Sequence, residues 1–306
     1  MVHTGDSDAA AAPSPTWRAP LLWRFVLRLS TVLVPLVCRL RVTTSEQFDD
    51  LVSRTGGPSD EPAGRSDRLS DARGHRAGRG SGARRRRSGW WVRGPLILAG
   101  NHIGNFDPIA TTAACARLGI APRMMATGGL FRVPIVGAFM RAAGHIPVDR
   151  GRETVRNAVP DATAALAAGS IVFIYPEGRI GLHPALWPER PRTGIARFAL
   201  TTRAPVVPVA IWGSHEVIAY HGWPVMIRML ISALWRRPVV RVHFGDPVDL
   251  SDLRAGAIGH AQRASERIMD AITAELARLR VDEPGLPRFR DHTRPVTLAR
   301  ARDRTA

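Results

Sequence analysis

The sequence predicts an α/β fold: a single domain with a largely parallel, mixed central sheet flanked by helices. Two observations carry this. From residue 94 onward short apolar runs, among them PLILA, SIVFIY and VVPVAIW, alternate with longer stretches of helical periodicity. The chain is also long enough, at 306 residues with 45% hydrophobic content, to bury a sizeable core. That composition excludes a wholly disordered chain, a collagen-like repeat and a disulfide scaffold. Cys38 and Cys115 are the two cysteines, too few for a disulfide framework or a metal quartet, and they suit a reducing compartment.

Residues 1–16 are Ala, Pro and acidic, and read as a disordered tail. Residues 17–42 are apolar with spaced arginines. At 100° per residue, Arg24, Arg28, Thr31, Pro35 and Arg39 fall within an arc of about 80°, leaving a wide face of Leu, Val, Phe and Trp. The uninterrupted apolar stretch between Arg28 and Arg39 is ten residues, about 15 Å of helix and half a bilayer core. An amphipathic, membrane-associated helix in the interface plane is the expectation, with arginines reaching the headgroups. A helix packed on the protein core is the alternative. Residues 45–88 hold Gly, Ser, Asp and Arg with almost no large apolar side chain and end in Arg84–Arg87, so they read as a disordered insert.

The α/β domain is placed at 89–281. Strands are predicted at 95–99, 123–126, 146–148, 170–175, 206–212 and 239–244. Helices are predicted at 107–118, 131–143, 153–167, 194–202 and 260–280. Residues 217–237, rich in Trp, Met and Leu with Arg at one end, are open between an acyl-chain or membrane contact and an ordinary amphipathic core helix. Residues 282–306 read as a disordered basic tail.

The net charge is +17, and all 43 basic residues are arginine. Such a balance suggests an anionic partner, either nucleic acid or an anionic membrane surface. No helix-turn-helix, zinc pattern or aromatic RNA-binding signature accompanies the charge, so nucleic acid is not expected. A non-catalytic membrane scaffold is a further reading.

The chemistry is expected at Gly100-Asn101-His102-Ile103-Gly104-Asn105-Phe106-Asp107-Pro108, which follows an apolar strand and precedes a helix. Sites in open α/β sheets form beyond the carboxyl ends of strands. On a helix His102 and Asp107 would lie about 140° apart; a turn at Gly104-Asn105 brings them together. Asp107 before Pro108 also has the signature of a helix N-cap. A His–carboxylate pair is a general base with an orienting partner. With no Ser or Cys nucleophile beside it, the base would activate a substrate hydroxyl.

Three further runs accompany it: Gly144 to Arg150, Tyr175-Pro176-Glu177-Gly178-Arg179, and Val207-Pro208-Val209. In that order and spacing, about residues 90–250 resemble the glycerolipid acyltransferase superfamily, specifically the bacterial 1-acyl-glycerol-3-phosphate acyltransferases. The NHxxxxD block is matched at Asn101, His102 and Asp107. The second block is matched at Ile146 to Arg150, the third at Tyr175 to Gly178 and the fourth at Val207 to Val209. The chain departs from the family where Arg179 and Ile180 replace the usual Thr and Arg, and where Thr127 and Gly128 replace basic residues.

The resemblance implies an O-acyltransferase of phospholipid biosynthesis. His102 would deprotonate the hydroxyl of 1-acyl-glycerol-3-phosphate, and Asp107 would orient the imidazole. The oxygen would attack the thioester of acyl-CoA or acyl-acyl carrier protein, giving phosphatidic acid. Arg150, helped by Arg179, would bind the acceptor phosphate, and Glu177 with Gly178 would position the glycerol. Another lysophospholipid or a glycolipid is the alternative acceptor. No metal and no cofactor beyond the acyl thioester are implied. The expected partners are a lysophospholipid, an acyl donor, a membrane surface and acyl carrier protein. The expected location is the cytoplasmic face of the plasma membrane, peripheral or monotopic.

Overall fold

The helix α1, Leu21–Val37, buries Trp23, Leu27, Ser30 and Val34 on one stripe. These positions recur at helical spacing, and the stripe lies against α3, Asp107–Arg117. Trp23 fixes the contact further by donating its indole N–H to the Pro122 carbonyl at 3.1 Å. Leu21, Phe25, Val32, Leu33 and Leu36 of α1 are exposed, as is Arg28. The computed structural model describes residues 17–55, 94–148, 154–220, 222–292 and 294–295. Arg150, the tail 1–16 and most of the expected insert lie outside these residues.

Where the sequence suggests one helix over 17–42 followed by an insert from 45, the structure differs. The helix stops at Val37, and β1, Arg39–Thr44, pairs parallel with β7, Val239–Phe244. Leu40 is buried in β1 while Arg39 and Arg41 face outward, an alternation of period two that continues directly from an apolar run. α2, Glu46–Thr55, follows, with Phe48 buried and stacked on Phe244 at 5.1 Å between ring centroids. Phe48, Leu51 and Val52 share one helix face, which makes this stretch a helix despite its polar composition. Phe48→Ala is expected to cost about 3–5 kcal/mol of stability, measured by denaturant unfolding. A loss near zero would mean that α2 is not part of the core.

The remaining strands are β2 (Leu96–Gly100), β3 (Arg123–Thr127), β4 (Ile146–Val148), β5 (Ile171–Ile174) and β6 (Val206–Trp212). The sheet has the order β1-β7-β6-β2-β5-β3-β4. All pairs are parallel except β6 with β7, which are antiparallel. β2 lies in the middle and is buried along its whole length. In register, Ala99 is opposite Ile174 of β5 and Gly100 is opposite Val209 of β6. The carboxyl ends of β2, β5 and β6 therefore open side by side onto one edge of the domain.

The helices predicted between strands are present, with one division. The stretch 131–143 is two helices, α4 (Gly128–Arg132) and α5 (Pro134–Ala142), because Val133 before Pro134 is held extended. α6 (Thr154–Ala167), α7 (Gly194–Thr202) and α9 (His260–Leu279) complete the layers. α9 packs Ile268, Met269, Ile272 and Leu276 inward. α8, Trp223–Arg236, buries only Ala233, so it is not the core helix that one reading of 217–237 envisaged. Among the described residues no helix is long and apolar enough to cross a membrane.

The expected tail from 282 is structured at its start. Arg280, fully buried between the Trp187 and Trp212 rings, donates to the carbonyls of Ala185 and Glu283 at 2.8 and 3.0 Å. Glu283 accepts from the Trp212 indole at 3.3 Å. These contacts turn the chain back over the carboxyl edge of β6.

Candidate active site

Three neighbouring strands each deliver one part of the site. β2 ends in Asn101 and His102, β5 leads to Tyr175 through Glu177, and β6 leads to Gly213 and Ser214. Asn101 locks the first strand to the third, donating to the Ile211 carbonyl at 2.9 Å and accepting from the Ile211 amide at 2.7 Å. Gly213 has φ +89°, and a side chain there would collide with the Val239 carbonyl, so only glycine lets the chain turn to present Ser214.

The turn after His102 closes as the sequence suggests. His102 Nδ1 lies 2.8 Å from Asp107 Oδ2. The same carboxylate oxygen accepts the Ile103 and Gly104 amides at 2.6 and 2.8 Å, and the Ser214 hydroxyl donates to the other oxygen. Asp107 is wholly buried, whereas the His102 side chain is 15% exposed. Asp107 is thus not the helix cap that its sequence context suggests. The cap position falls on Phe106, Asp107 is the first residue of α3, and its carboxylate points back to the turn. The start of α3 adds a favourable field for this carboxylate.

His102 Nδ1–H donating to a carboxylate leaves Nε2 without a proton, the tautomer a general base needs. Tyr175 lies parallel to the imidazole at 4.1 Å between centroids and fixes the plane of the ring. Burial pushes the Tyr175 hydroxyl well above its ordinary pKa, aided by the Asp107 charge, so this ring remains neutral.

Glu177 is almost fully buried, and its two oxygens accept the backbone amides of His102 and Glu189 at 2.9 and 3.0 Å. Gly178, at φ +68°, turns the chain immediately afterwards. Gly181 then returns its amide to the His102 carbonyl at 2.8 Å. Glu177 therefore ties the loop after β5 to the residue that carries the base. Burial raises its pKa to about 8 against the opposing amide bonds. A carboxyl raised in the folded state stabilises the fold fully below its unfolded value, and that stability is lost as pH rises through the folded value. The shift corresponds to roughly 4–5 kcal/mol. The thermal midpoint should fall between pH 5 and 8, and Glu177→Gln should flatten this fall from a lower starting stability. Parallel curves for the two proteins would contradict it.

Arg179 does not stand free for a ligand phosphate as expected. Its guanidinium donates to Glu189 at 2.6 Å, and Glu189 is buried and also accepts the Leu182 amide at 2.7 Å. The Glu177 bond to the Glu189 amide is what brings this second carboxylate over residue 179. Ile180 offers no charge in its place. Arg150 lies outside the described residues.

Ser214, Glu189 and Arg294 are site residues that the sequence reading did not single out. Gly213-Ser214 directly after a buried strand was the available signal for Ser214. Glu189 and Arg294 arrive from loops with no diagnostic spacing. His243 faces Glu275 at 3.4 Å, away from this site. Among the described residues no cluster of three or more His, Cys, Asp or Glu could hold a metal ion.

The described residues thus form an α/β domain with a histidine on a buried carboxylate at the central carboxyl edge of its mostly parallel sheet. Residues 80–212 match the family model described as Acyltransferase. An uncharacterized protein of Mycobacterium tuberculosis (strain ATCC 25618 / H37Rv) is 30% identical over 135 residues, 40% of this chain and 35% of that protein. One of Mycobacterium leprae (strain TN) is 33% identical over 134 residues, 40% of this chain and 34% of that protein. The chain thus spans about a third of the length of the curated relatives it matches. The crystal structure of the 1-acyl-sn-glycerophosphate (LPA) acyltransferase PlsC from Thermotoga maritima superposes with a TM-score of 0.50 at 16% identity, covering 84% of this chain and 81% of that one. That likeness is one of fold.

Proposed function

We propose that this protein is an O-acyltransferase that moves a fatty acyl group from acyl-CoA or acyl-acyl carrier protein to the hydroxyl of 1-acyl-glycerol-3-phosphate, giving phosphatidic acid. The observation that carries the reading is the His102–Asp107 pair, with Asp107 buried under four donors and His102 reachable from solvent. His102 Nε2 takes the hydroxyl proton as the oxygen attacks the thioester carbonyl. Asp107 stabilises the imidazolium, and the departing thiolate takes that proton back as the tetrahedral intermediate collapses. A thioester is already activated, so one positioned base with bound substrates suffices.

The Arg179–Glu189 pair favours a second reading, an acceptor without a phosphomonoester such as a different lysophospholipid or a glycolipid. Product lipids formed from one acyl-CoA and a panel of these acceptors distinguish the two. Lysophosphatidic acid as the best acceptor supports the first; a neutral acceptor with the higher kcat/KM supports the second. No transfer to any of them would remove both.

We place the protein at the cytoplasmic face of the plasma membrane, held at the lipid surface rather than through it. α1 and α8 are neighbours, joined where Arg237 donates to the Pro35 carbonyl at 2.7 Å. Phe25, Val32 and Leu36 on α1, and Trp223, Ile231 and Trp235 on α8, expose apolar side chains to solvent. Arg28, Arg39 and Arg228 are exposed beside them. Apolar faces with a basic rim suit an anionic lipid surface. Ile231→Glu combined with Trp235→Glu should move the protein from the pellet to the supernatant when sedimented with anionic vesicles. Unchanged co-sedimentation would exclude α8 as a contact.

A further inference from the structure

We propose that the segment after α9 completes the acceptor site, and that Arg294 supplies the guanidinium that binds the acceptor's phosphomonoester. The proposal rests on the acyl-transfer reading above and concerns the charge which that reading needs. The third block has Ile180 where its family resemblance expects arginine, and Arg179 is engaged with Glu189. Arg294 reaches the same place from the other end of the chain. It donates to the Ile103 carbonyl at 2.8 Å, one residue beyond the base, and also to the Gly181 carbonyl. Gly181 is the residue whose amide holds the His102 carbonyl. A single guanidinium thus sits across the two turns that form the site.

Its surroundings fit an anionic ligand. A cavity of about 300 Å³ lies beside the turn, lined among others by Ile103, His215, Tyr220, Phe289, Arg290 and Arg294. Arg290 and Arg294 bring two positive charges to it. Asp291 brings one negative charge, held back on the Tyr220 amide at 3.0 Å. The Arg294 Nε and both ring nitrogens of His215 are buried without a hydrogen-bond partner among the described residues. Arg294 Nε–H and the single N–H of the His215 imidazole, which burial keeps neutral, are donors of a kind normally met, so a bound oxyanion is the natural occupant. Burial lowers the Arg294 pKa, while the charges of Asp107 and Asp291 oppose that shift. The guanidinium therefore lies within electrostatic reach of the catalytic carboxylate. A planar fork with N–H groups left over after the two carbonyl bonds suits a phosphate.

The test is calorimetric binding by the full-length protein of a short-chain 1-acyl-glycerol-3-phosphate, the matching 1-acyl-glycerol, and coenzyme A. Wild type should bind the phosphorylated lipid more tightly than the neutral one. Arg294→Ala should weaken binding of the phosphorylated lipid about tenfold or more and leave the other two ligands unchanged. Arg294→Lys, which keeps the charge but not the fork, should recover part of the loss, and serves in place of the alanine variant if that one does not fold. Equal losses for both lipids would reduce Arg294 to a clamp between two turns. A loss confined to coenzyme A would assign it to the donor. Wild type without a preference for the phosphorylated lipid, or a variant that binds like wild type, would overturn the proposal outright. Turnover of acyl-CoA by wild type is read in parallel: phosphate-selective binding without turnover would sink acyl transfer and leave the Arg294 assignment standing.

Discussion

His102→Ala is expected to lower acyl transfer by about 10²- to 10⁴-fold, the range a positioned general base contributes, with the fold intact. The ring is partly exposed, and its polar bond is the one to Asp107. The backbone of the turn is held independently, by the Glu177 bond to the His102 amide and by the Ile103 and Gly104 bonds to Asp107. Removing the imidazole also removes its stacking on Tyr175, worth about 1 kcal/mol, too little to unfold the domain. Initial rates with an acyl thioester and acceptor, read beside the circular dichroism spectrum and thermal midpoint, check both halves. A folded variant with a near-wild-type rate would exclude His102 as the base.

Asp107→Asn is expected to be nearly as severe for a different reason. One oxygen of Asp107 serves the imidazole and two amides, and the other accepts from Ser214. Asparagine supplies one acceptor and one NH₂ group. With the NH₂ toward His102, it donates to Nδ1 and forces the proton to Nε2, which removes the base. With the oxygen toward His102, the tautomer survives, but the imidazolium formed during reaction has lost its counter-charge. Either way the rate should fall by roughly 10²- to 10⁴-fold. Stability should fall by about 1–3 kcal/mol, since the NH₂ group faces either the Ile103 and Gly104 amides or the Ser214 hydroxyl, all of which donate to Asp107. Rates and unfolding midpoints for this variant should therefore both move, whereas for His102→Ala mainly the rate moves. An Asp107→Asn protein with a normal rate would contradict the orienting role.

The central part of this architecture is readable from residues alone. Apolar runs followed by helical periodicity place β2, α3, β5 and β6 to within a residue or two, and the turn chemistry of Gly104-Asn105 brings His102 to Asp107. β1 and α2 are harder. The alternation that makes β1 a strand covers only Arg39–Thr44 and begins one residue after the apolar helix. α2 has three apolar residues on one face within a polar stretch, so its composition hides its periodicity. The antiparallel placement of β7 is decided by how α8 returns the chain, which no local pattern encodes. Ser214, Glu189 and Arg294 are single polar residues brought in by tertiary structure. Only the hydrogen bonds reveal that Ser214 steadies Asp107 and that Glu189 holds Arg179.

The path of the acyl group separates direct transfer from a covalent acyl-enzyme. A single-turnover experiment with acyl-labelled thioester, the acceptor lipid, and either wild type or His102→Ala should be quenched and separated into lipid and protein fractions. With wild type, the label is predicted to pass from thioester to product lipid with none bound covalently to protein. With the folded His102→Ala variant it should remain on the thioester. Label transferred to the acceptor at the wild-type rate without His102, or label trapped on the protein, would contradict direct transfer with His102 as the base.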